Sequence, residues 1–133
     1  MKKILLLLAV SAFLLSCSSN SPRSVAESFI KASLNMDVDK MMSYMDKQTA
    51  SEAKAELKEM TKEEKKQMEE FRKEALKEIK GTKFEFVKEE IDGDEATVTF
   101  LIKDPEGKEK EKNIYLIKED SKWVIENGSG IFF

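Results

Sequence analysis

The spacing of apolar residues changes twice along these 133 residues, and each change marks a change of element. Behind Lys2 and Lys3, residues Ile4 to Leu15 are uncharged and mostly apolar. As a helix that run would rise about 18 Å at about 1.5 Å per residue, well short of the roughly 30 Å hydrocarbon core of a bilayer. A positive start followed by a short apolar run reads as a secretion signal over residues 1–16. From residue 22 the apolar positions adopt helical spacing, and after Gly81 they adopt a period of two.

The helical half has its own start signals. Ser21-Pro22 sets a capping serine before a proline at the first helical position, where the missing N–H costs nothing. Val25, Phe29, Ala32 and Ser33, with Ala26 and Ile30 beside them, predict a first helix to about Leu34. Asp37 caps a second, in which Val38, Met41, Met42 and Met45 stand at i, i+3, i+4 and i+7. Thr49/Glu52 and Thr61/Glu64 both have the capping-box spacing, which predicts helices starting near Ala50 and at Lys62. Met68, Phe71, Ala75 and Ile79 carry an apolar stripe to Gly81, amid Lys and Glu that include the pair Glu69 and Lys73. The expectation is an amphipathic helix lying on a sheet, because the stripe is too thin for a coiled coil.

In the second half Phe84 and Phe86 alternate, then Val87 breaks parity, which predicts a bulge. Asp92-Gly93 signals a hairpin, and Ala96, Val98, Phe100 and Ile102 alternate cleanly. Asp104-Pro105-Glu106-Gly107 is a second turn. Strands at 113–118 and 122–125 follow, joined through Glu119-Asp120-Ser121. The fold class is α+β, with N-terminal helices packed on a four-stranded antiparallel meander.

Composition sharpens the picture modestly. Without residues 1–16 the chain has 117 residues, one domain's worth, with 21 basic side chains against 26 acidic. This excludes the electrostatic footprint of a nucleic-acid binder, and no polybasic segment adds membrane affinity. The chain has no histidine, which removes the usual base near neutrality and any ordinary serine triad. There is no Gly-rich phosphate loop. The one cysteine, Cys17, cannot build a structural zinc site alone. Met36, Met41, Met42 and Met45 could suit Cu(I), yet helical spacing accounts for three of them as core. Asp92-Gly93-Asp94-Glu95 lacks the ligand ladder of a calcium loop. No cofactor is expected.

Cys17 itself stands in Leu14-Leu15-Ser16-Cys17, which resembles the lipobox of bacterial lipoproteins. That resemblance implies cleavage before Cys17, acylation of its thiol, and a polar tether over residues 17–21. The alternatives are a plain signal peptide with a chance cysteine or a buried free thiol, although an unpaired thiol is anomalous in an oxidising compartment. Several acyl chains make release from a membrane slow. Ser18 resembles the residue that follows the cysteine in lipoproteins of the Gram-negative outer membrane. The expected location is therefore the cell envelope, at the outer membrane in a Gram-negative host.

The stretches SPRSVAESFIKASLNMDVDKMMSYM and EEIDGDEATVTFLIKDPEGKEKEKNIYLIKEDSKWVIEN carry a wider resemblance. They resemble the cone-shaped, nuclear-transport-factor-2-like (cystatin-like) superfamily, and within it the bacterial lipoproteins grouped as domain of unknown function 4878. The resemblance implies one curved-sheet domain over residues 22–127, leaving an apolar C-terminal tail at 128–133. Superfamily members are enzymes, transport factors or ligand cups, so fold alone does not choose among them. The enzymes use a histidine or a buried aspartate inside the cone. Here Asp92, Asp94 and Asp104 have turn roles and Asp37 a capping role, so no catalytic residue is expected. The reading is a non-catalytic cone that holds a small apolar ligand, with Phe29, Met41, Tyr44, Met45, Phe84, Val98, Phe100 and Trp123 as candidate lining. The alternative is a protein-interaction or dimerisation module at the membrane surface, with the tail packing in cis or against a second copy.

Overall fold

The computed structural model describes residues 20–126. The leader, Cys17 and the apolar tail lie outside the described residues. Four helices, α1 (Pro22–Leu34), α2 (Val38–Tyr44), α3 (Lys47–Glu59) and α4 (Lys62–Ile79), precede four strands. These are β1 (Lys83–Asp92), β2 (Glu95–Lys103), β3 (Glu109–Glu119) and β4 (Lys122–Ile125), in the antiparallel order β1-β2-β3-β4.

Local chemistry sets the helix ends. Ser21 and Ser24 satisfy each other's backbone N–H groups across the first turn of α1 (3.2 and 3.0 Å). At its other end the Met36 and Asp37 N–H groups return to the Ser33 and Ala32 carbonyls, with Met36 at φ 50°. Helix α3 starts three residues before the expected position. Asp46 rather than Thr49 is its cap, its carboxylate accepting from the Thr49 N–H (2.9 Å) and hydroxyl (2.8 Å). A carboxylate here takes two donors at once, so Thr49 serves as a third-position partner. Thr61 and Glu64 form the expected capping box of α4.

The sheet behaves as its pattern predicts. The register of β1 against β2 shifts between Phe86 and Lys88, so Val87 is the bulge. Asp104 Oδ1 accepts from the Glu106 and Lys108 N–H groups (both 2.9 Å) and ties the β2–β3 turn. Strand β3 reaches further back than expected, taking in the charged residues Glu109–Lys112. Lysine and glutamate are poor strand formers, but pairing with Phe100–Lys103 of β2 carries them.

The core lies between α1 and the inner sheet face. Val25, Ala26, Phe29 and Ile30 of α1 meet Val98, Phe100 and Ile102 of β2, with Ile114, Leu116, Trp123 and Ile125 behind them. Helices α3 and α4 bury no residue. The expectation of an amphipathic helix lying on the sheet is therefore not met. The inner face is already covered by α1, and a stripe of four apolar residues in an 18-residue helix offers too little area to compete. One side-chain bond joins α4 to the helical layer, from Arg72 Nε to the Met36 carbonyl (3.1 Å). Arg72 also pairs with Glu69.

Candidate functional site

The eight candidate lining residues converge on one region, and that region is packed. Val98 and Phe100 have no accessible surface and Phe29 has 1%. Phe84 and Phe86 of β1 stand edge-on to Phe100, with ring centroids at 5.8 and 6.2 Å. Met41 and Trp123 are buried, while Tyr44, Met45 and Phe84 are half-buried against the same cluster. The strand period puts Phe84, Val98 and Phe100 on one face, and α1 sets Phe29 over them. Met41 and Met42 sit inside as apolar fill, and Met36 lies apart in the turn after α1. Among the described residues no three Asp, Glu, His or Cys side chains come together as metal ligands.

Both outer ends of β4 are held. Asn20 Oδ1 accepts from the Trp123 N–H (2.9 Å), and the Asp46 N–H donates to the Ile125 carbonyl (3.1 Å). Met45 adds a parallel bridge to Ile125. The open edge of a short strand is thus closed by a side chain and by the α2–α3 junction. Asn20, expected in the polar tether, is docked on the sheet.

Open space lies elsewhere. A cleft of about 730 Å³ separates the end of α4 from the β2–β3 turn, with Ile79, Ile102 and Pro105 as apolar wall. Thr82, Lys108 and Lys110 line its polar side. Sequence reasoning missed this site. Ile79 belongs to a helix stripe and Ile102 to a strand face, and nothing local places them across one gap.

The electrostatics are those of a solvated surface. At the α2–α3 junction Lys47 and Asp120 form an ion pair, and their hydrogen bond raises the pKa of Lys47 and lowers that of Asp120. The Thr61 N–H lowers the pKa of Glu64. Partial burial, then the neighbouring Lys110, lowers that of Lys112. Large apolar side chains open to water are Phe71 of α4, 62% exposed, Met68 beside it, Val38 of α2, and Val87, Ile91 and Tyr115 on the sheet. No helix among the described residues is long and apolar enough to cross a membrane.

An α1 helix across a curved antiparallel meander defines the cone class of α+β domains. The family described as Domain of unknown function (DUF4878) matches residues 15–126, and the chain belongs to it. Among solved structures, the chain is similar to a Campylobacter jejuni protein provisionally named an NTF2-like transpeptidase. The two share 22% identity and a TM-score of 0.55 over 80% of this chain and 97% of the other. At that identity the likeness shows the fold, which is nuclear-transport-factor-2-like. No curated protein matches significantly.

Proposed function

We propose that this chain is an envelope protein, anchored through acylated Cys17, whose cone domain is a non-catalytic protein-interaction module. The observation that carries the reading is the contrast between a closed interior and an unburied arm. Val98, Phe100 and Phe29 leave no surface for an apolar ligand, whereas no residue of α3 or α4 is fully buried and α4 exposes Phe71 and Met68. Well-capped helices that present large apolar side chains to solvent fit a surface that meets another protein. Docking of Asn20 leaves only residues 18 and 19 between the anchor and the domain. The domain would then stand within roughly 10 Å of the bilayer, at about 3.4 Å per extended residue.

The chemistry of the described residues supports the non-catalytic part. The name of the Campylobacter protein raises acyl transfer, which needs a nucleophile next to a base. Ser21 and Ser24 are engaged in the α1 cap, and the Ser33 hydroxyl donates to the Phe29 carbonyl (2.8 Å).

A photocrosslinking side chain at position 71 of the full chain, in its own envelope, tests the reading. The expected result is one adduct of defined protein mass, absent when the probe stands at Lys88 on the sheet. Equal labelling from both positions, or none, counts against it. Native mass spectrometry adds a second arm. A small bound mass lost on denaturation would move the assignment to ligand binding at the cleft.

A further inference from the structure

The two ends of the sheet carry different things. Asn20 docks at Trp123, which pairs with Lys118 of β3. Lys110, on the wall of the cleft, stands further back along the same strand, roughly 27 Å away at about 3.4 Å per residue. The cleft thus opens at the end of the sheet remote from the point where the tether meets the domain. Helix α4 reaches the same place. Ile79 lines the cleft, and Phe71 stands about two turns earlier, roughly 12 Å along the helix. A protein that covers Phe71 passes the mouth of the cleft.

The charges around the cleft are unevenly matched. Asp104 is committed to its turn, accepting two backbone N–H groups, and Glu106 pairs with Lys108 (3.8 Å). Glu109 stands opposite Lys103, on the outer parity of the strand. Lys110 stands opposite Ile102 and Lys112 opposite Phe100, both core residues. The two lysines therefore share the inner face, about 6.8 Å apart along the strand. Among the described residues neither makes an ion pair. Lys112 is half-buried, and burial, then the charge of Lys110, lowers its pKa. Two neighbouring cations, one of them partly out of water, carry an electrostatic cost that an anion relieves.

On the reading of the domain as an interaction module, we propose that the cleft receives an extended segment of the partner protein in which a carboxylate lies next to an apolar side chain. The carboxylate binds at Lys110 and Lys112, and the apolar side chain packs on Ile79, Ile102 and Pro105. The methylene stem of Lys110 bridges the two, apolar along its length and charged at its tip. A volume of about 730 Å³ lies within the range of ligand pockets, about 300–1,000 Å³, and suits a short extended stretch rather than a folded element. Two observations favour a protein over a lipid of the anchoring membrane. The cleft is continuous with the exposed side of α4, and it lies at the end of the sheet remote from Asn20.

A photocrosslinking side chain at position 106, on the rim of the cleft, tests the assignment in the full chain in its own envelope, beside the probe at position 71. The expected result is an adduct of the same protein mass from both positions. Tandem mass spectrometry of the adduct from position 106 should place the crosslinked residue within two positions of both an acidic group and an apolar side chain. Lys110→Glu should lower the yield from position 106 at least about tenfold, and Lys110→Arg, which keeps the charge, should retain it. Lys110 is exposed, so neither substitution should alter the circular dichroism spectrum. An adduct from position 71 with none from position 106 overturns the cleft assignment and leaves the interaction module standing. No adduct from either position overturns both. A yield indifferent to Lys110→Glu, or a crosslinked segment without an acidic group, overturns recognition of a carboxylate. A small molecule captured at position 106 in place of protein overturns the choice of partner.

Discussion

Replacing Phe100 with alanine separates a closed core from a ligand-lined cone. Phe100 has no accessible surface and meets two phenylalanine rings edge-on. Truncation of a fully buried phenylalanine costs about 3–5 kcal/mol, the lost transfer free energy plus the cavity left behind. Two edge-on pairs, each worth about 0.5–1.5 kcal/mol beyond area, set the expectation in the upper part of that range. A domain of this size loses about 4 °C of melting temperature per kcal/mol, so the shift should be on the order of 15–20 °C. Thermal denaturation followed by circular dichroism measures the shift, and urea denaturation measures the free energy. Phe100→Leu provides a graded variant if Phe100→Ala does not fold. The control is Phe71→Ala, at a side chain 62% exposed, expected within about 0.5 kcal/mol of the parent. A cost below about 1 kcal/mol for Phe100→Ala would refute the reasoning, because the ring would then already face solvent or a replaceable ligand.

Three further outcomes follow from local geometry. Asp120 and Ser121 both lie at positive φ, 50° and 64°, in the β3–β4 turn. Ser121→Gly relieves about 1–2 kcal/mol of left-handed strain against an entropic cost of about 0.5–1 kcal/mol. It should therefore stabilise the domain by roughly 0.5–1 kcal/mol, and an unchanged or lowered melting temperature would contradict this. Glu64 should titrate below its ordinary 4.5 in a carbon-detected NMR titration. Because the folded pKa is the lower one, the capping contribution is present above the unfolded value and is lost as pH falls through the folded value, loosening the start of α4 in acid. Thr61→Ala keeps the backbone N–H, the larger cause, and removes only the hydroxyl, so it should return Glu64 only part of the way toward its ordinary value. Lys47→Ala should raise the Asp120 pKa toward its ordinary 3.8, as it removes both the hydrogen bond and the charge that lower it. An unmoved titration would mean that the pair does not persist in solution.

Much of the fold was legible because its causes are local. The period-two run Ala96, Val98, Phe100, Ile102 became the buried face of β2, and the parity break at Val87 became the bulge. Capping at Ser21, Asp37 and Thr61 acts within one turn, so reading a few residues suffices. The start of α3 was misjudged because Thr49/Glu52 imitates a capping box, while the stronger acceptor, Asp46, stands three residues earlier.

Residue order alone was enough for the α+β succession, the meander, the inward face of the central strands and the absence of a histidine. Each is a property of spacing or composition. Packing settled that Phe29, Val98 and Phe100 close on one another, that no residue of α4 is fully buried, and that Ile79 and Ile102 line one cleft. A lining residue and a core residue are chemically alike, and an apolar stripe does not say what covers it. Those distinctions depend on which surface α1 occupies first, a matter of competition for one sheet face that no stretch of sequence contains.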